Sequence, residues 1–141
     1  MELPNARASA QQRAALESLR HALLKLHKTL LEWQRVRYER EHGRVADGYP
    51  LLDKVMNDPA FAWLRPLSAL IVQLDENLEN TELTQTGARL LNDHARQMVT
   101  PSESSTEFQR NYHRALQDSP AAVMAHREVS PLFTSGRTAD H

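Results

Sequence analysis

The sequence predicts an all-α fold: an antiparallel helical bundle of about four main helices, with a long N-terminal helix and short accessory helices. Three observations predict it. Between Ala6 and Glu41 there is no Pro and no Gly. Within that stretch Leu16, Leu19, Leu23, Leu26, Leu30 and Trp33 recur at spacings of three and four, the period of one amphipathic helix with a narrow apolar stripe. No hairpin signal, extended alternating run or internal repeat occurs in the 141 residues. At ~1.5 Å per residue the first helix is a rod of roughly 54 Å, which cannot bury its stripe alone. The rest of the chain is therefore read as its cover.

Each later element has its own local cause. His42-Gly43 ends the first helix, because Gly supplies a left-handed cap, and residues 43–50, with Asp47-Gly48 and Tyr49-Pro50, make a loop. Pro50 starts a short helix through Met56. Asp58 then caps a segment with Pro59 at its first position. Pro66 has no N–H to give and disfavours an α conformation at Arg65, so a break is predicted there before a helix from Leu67 to about Asn80, with Leu67, Leu70, Ile71, Leu74 and Leu78 on its apolar face. A third major helix is expected from about Thr81 to Val99, with Leu83, Leu90, Leu91, Ala95 and Met98 inward and Gly87 weakening it by ~1 kcal/mol. Thr100-Pro101-Ser102-Glu103 reads as a capping box opening the next helix, whose apolar positions are Phe108, Tyr112, Ala115 and Leu116. Ser119-Pro120 opens a last helix through about Glu128. The chain thus divides into one helical bundle domain at 1–130 and a polar C-terminal tail at 131–141.

Composition narrows the function classes. With 40 % hydrophobic and 25 % charged residues and no apolar run of the ~18 that a membrane span needs, no membrane partner is expected. The N-terminus lacks the apolar core of a secretory signal, and the chain has no Cys, so a cytoplasmic location is expected. Residues 1–44 carry nine Lys and Arg against five acids, while the remainder carries eight against thirteen. A basic first helix lying on acidic later ones explains that asymmetry, and a pI near 6.7 argues against nucleic acid as a partner. Phosphate-cradling and nucleophile-elbow motifs are missing, and only four Gly are present, so common nucleotide enzymes are excluded and no cofactor is expected.

Helical bundles can hold metals through Glu-x-x-His pairs. Glu39 and His42 have that spacing once. His94, beside Leu90, Leu91 and Met98, and His113, beside Tyr112, are the other weak candidate ligands, against the simpler reading of a hydrogen-bonded core histidine. A sharper feature is the polar break in the stripe. Past Trp33 the register puts Arg37 and Arg40 where Leu belongs, beside Tyr38, and a buried Arg needs a carboxylate. No Lys or Arg lies between Arg65 and Arg89, which leaves Asp75 and Glu76 without a local cation. Arg37 or Arg65 is therefore expected to meet Asp75 or Glu76, either as a pair that fixes helix register or within a polar pocket walled by Trp33, Tyr38 and Trp63.

The stretch Asp58-Pro59-Ala60-Phe61-Ala62-Trp63-Leu64-Arg65-Pro66-Leu67-Ser68-Ala69-Leu70-Ile71, followed by Asp75-Glu76 and preceded by Leu26-His27-Lys28 and Tyr38-Glu39, resembles a family of bacterial helical proteins to which no activity is attached. The resemblance implies a helical fold and a bacterial, cytoplasmic protein, and transfers no site residue. The residues themselves favour a non-enzymatic module for protein interaction or self-association: Leu24, Leu31 and Val36 lie outside the main stripe, and a rod of that length outruns its cover, which suggests a homodimer. The alternative is a metal-dependent helical-bundle enzyme with His and Glu ligands.

Overall fold

The structure, a computed structural model, describes residues 6–100 and 106–139, with side chains through Phe133 in the last helix. It is all-α. Among the described residues six α-helices and one 3-10 helix follow one another: α1 (Ala10–His42), α2 (Tyr49–Asn57), the 3-10 helix Pro59–Leu64, α3 (Arg65–Glu79), α4 (Gln85–Val99), α5 (Glu107–Asp118) and α6 (Pro120–Ala139). The one extended pairing among the described residues is an isolated bridge between Arg7 and Thr84.

The stripe read from the sequence is the core side of α1. Leu23, Leu26 and Leu30 are fully buried, with Leu16, Leu19 and Trp33 nearly so, and each buried leucine contributes about 1.5–3 kcal/mol. Helix α1 packs most extensively on α6 and α3. Contacts with α3 and the segment before it descend in number as α1 ascends: Arg13 reaches the carbonyls of Leu78 and Asn80, Arg20 meets Asp75, His27 meets Ser68, and Gln34 meets Trp63. The two segments therefore run in opposite directions.

Boundaries shift where caps decide them. α1 begins at Ala10, not Ala6, because Ser9 and Gln12 form a reciprocal capping box, and residues 6–8 instead bond to Leu83 and Gln85. α4 begins at Gln85, not Thr81. Asn80 turns the chain by accepting from Glu82 N, and Thr84 caps the helix by accepting from Gly87 N at 3.0 Å. A Cβ on Gly87 would meet Leu83 Cδ1 and Thr84 Oγ1 at 3.2 Å each, so the glycine admits this cap. The inward set on α4 is Ala88, Ala95 and Val99. Leu90, expected inward, is 64 % exposed, and Leu91 and Met98 are partly buried. The capping box expected at 100–103 falls on residues outside those described, apart from Thr100, which ends α4; the described part of the next helix begins at Glu107 under a Thr106 cap.

At Pro66 the chain changes from 3-10 to α-helix. Arg65 keeps an αR conformation, and Pro66 sits in the first turn of α3, where its missing N–H leaves no bond unmade. The helix expected to end at Glu128 continues through Pro131 to Ala139. Val129 and Phe133 are buried in the core, and that burial offsets the lost hydrogen bond at Pro131.

Helix α1 runs about 50 Å, and its last turns are covered from one side. Phe61 packs at 5.5 Å from Tyr38, Lys54 lies over the Tyr38 ring, and Arg35 binds Asp47 and the Val45 carbonyl of the following loop. Gly43 and Gly48, both at φ +83°, turn that loop into α2.

Candidate functional site

The expected aromatic walls meet, but inside the core. Trp33 and Trp63 pack edge to face with centroids 6.0 Å apart, and Phe108 of α5 lies 5.9 Å from Trp63. Both indole N–H groups are satisfied: Trp33 donates to Asp118 Oδ2 at 2.7 Å and Trp63 to Gln34 Oε1 at 2.9 Å. Gln34 is the buried polar residue of this cluster. Arg37 covers its end, with the guanidinium carbon 4.5 Å from the Trp33 ring centroid, a cation–π contact.

Trp33, Arg37, Tyr38 and Trp63 are thus neighbours, whereas Arg65, Asp75 and Glu76 lie elsewhere. Arg65 is exposed and donates to the Met56 carbonyl at 2.8 Å. Asp75 pairs with Arg20 at 3.1 Å, and Glu76 is exposed. Direction explains the difference. Asp75 lies near the C-terminal end of α3, so it reaches the part of α1 that is about 25 Å before Arg37. Arg37 occupies a leucine position because the bundle stops beneath it, with Arg40 and Glu41 exposed one turn on.

The metal candidates stay apart. Glu39 accepts from the Val45 N–H and lies 3.7 Å from Arg35, while His42 stacks on Tyr38. His94 on α4 and His113 on α5 are exposed, the former correcting its expected place on a buried face. No group of three His, Asp or Glu suited to a metal ion occurs among the described residues.

Two other histidines are held between helices. His27 Nε2 lies 2.7 Å from Ser68 Oγ, and burial pushes its pKa below the ordinary value. His126 on α6 faces Tyr112 on α5. The Tyr112 hydroxyl and His126 Nδ1 share a short hydrogen bond, and burial raises the Tyr112 pKa and lowers that of His126.

Two surface features remain. A cleft of about 1060 Å³ opens between the 3-10 helix, the end of α4 and the start of α5. Ala62, Pro66, Met98 and Phe108 give it an apolar lining, and His94, Arg96, Gln97 and Glu107 a polar one. The second feature is α2, none of whose residues is buried. Val55 packs partly against the core and Lys54 faces Tyr38, which turns the opposite face outward. There Tyr49, Leu52 and Met56 form a row at 77 %, 53 % and 61 % exposure. Sequence reasoning singled out neither this row nor Gln34, Arg20, His27, His126 or the cleft. For the row a signal existed: Tyr49, Leu52 and Met56 share one helical face, while Leu51 and Val55 share another.

No protein-family model matches the chain, and no curated protein or solved structure matches it.

Proposed function

We propose that this protein is a non-catalytic helical module that binds a protein surface through the outward face of α2. One observation carries this reading: a helix that buries none of its residues presents Tyr49, Leu52 and Met56 to solvent as a single row. The row exposes on the order of 400 Å², the size at which an apolar patch on a soluble protein is commonly functional. Spacing of i, i+3 and i+7 is the anchor pattern of helices that lie in apolar grooves. The helix is also held in place before binding. Lys54 bridges Tyr38 and Asp58, and Arg65 fastens the Met56 carbonyl, so little ordering remains to oppose association. Self-association is one form of this function. No helix of the described residues is long and apolar enough to cross a membrane, and a cytoplasmic location agrees with the absence of Cys. The metal-enzyme alternative draws no support from the separated positions of Glu39, His42, His94 and His113.

A photo-crosslinking residue at position 52, introduced into the full chain in cells, tests the reading. A discrete adduct is expected there, and none at the exposed position 79 on α3. Equal labelling at both positions, or none at 52, would overturn it.

A further inference from the structure

We draw no further inference here: the strongest candidate, the outward apolar row of Tyr49, Leu52 and Met56 on α2, belongs to the binding face already proposed, and nothing in the structure shows what covers it.

Discussion

Replacing Gln34 by Leu should destabilise the protein although it makes the core more apolar. Gln34 and Trp63 are 7 % and 4 % exposed, and their hydrogen bond is 2.9 Å long. Water cannot replace the lost acceptor at such a site, so the indole N–H stays unpaired at about 1–3 kcal/mol. The added apolar burial of Leu returns part of that, leaving a net loss of about 1–2 kcal/mol. A chain of 141 residues gains roughly 0.3 kcal/mol/K of entropy on unfolding, so Tm should fall by about 3–7 °C. Trp63→Phe removes the donor instead and leaves Gln34 unpaired. Combined with Gln34→Leu it removes both partners, so the double variant should lose less than the two single losses together, by about 1 kcal/mol. Thermal unfolding followed by circular dichroism and tryptophan fluorescence measures all three. A Gln34→Leu protein as stable as the wild type, or strictly additive losses, would show that this bond is not in a dry core.

Other consequences follow from the same packing. His27 and His126 have folded pKa values held down by burial, so the unfolded chain takes up their protons first, at about 6.5, and stability should drop as pH falls through that value and level off below the folded pKa values. His27→Gln and His126→Gln should each flatten the urea midpoint between about pH 7.5 and 5.5, and an unaltered slope in both would contradict the assignment. Phe133→Ala should cost about 3 kcal/mol, because Phe133 is 5 % exposed in α6; a loose tail after Glu128 would give no change in Tm. Arg37→Ala should cost about 0.5–1 kcal/mol through loss of its contact with Trp33, while Arg65→Ala, on an exposed side chain, should stay within about 0.5 kcal/mol.

What could be read from the sequence was what a single helix decides for itself. The stripe from Leu16 to Trp33 needs only periodicity, and it is buried as expected. The cap and proline signals at Asp58-Pro59 and Ser119-Pro120 place two starts correctly. Errors arose wherever a second element chose. On α4 the face with the larger side chains, Leu90 among them, loses to the face with Ala88 and Ala95, because small residues let α4 come close to its neighbours. Elimination pairs Arg37 or Arg65 with Asp75 or Glu76, but it takes no account of the offset between α1 and α3, and that offset gives Asp75 to Arg20. A leucine position filled by Arg has two meanings, a buried pair or the end of the cover. Only the position of the neighbouring helices tells them apart.

The same distinction bears on α2. Leu90, Val72 and Met124 are exposed too, but each belongs to a helix whose other face is buried, and single exposed apolar residues are ordinary. Tyr49, Leu52 and Met56 differ because α2 does not need them to hold its place: Val55, Lys54 and the Arg65 bond to its last turn do that. Polar residues at 49, 52 and 56 would leave the core intact and lower the risk of aggregation. A row that the fold does not use, and that solubility opposes, is the ground on which the proposed contact with another surface rests.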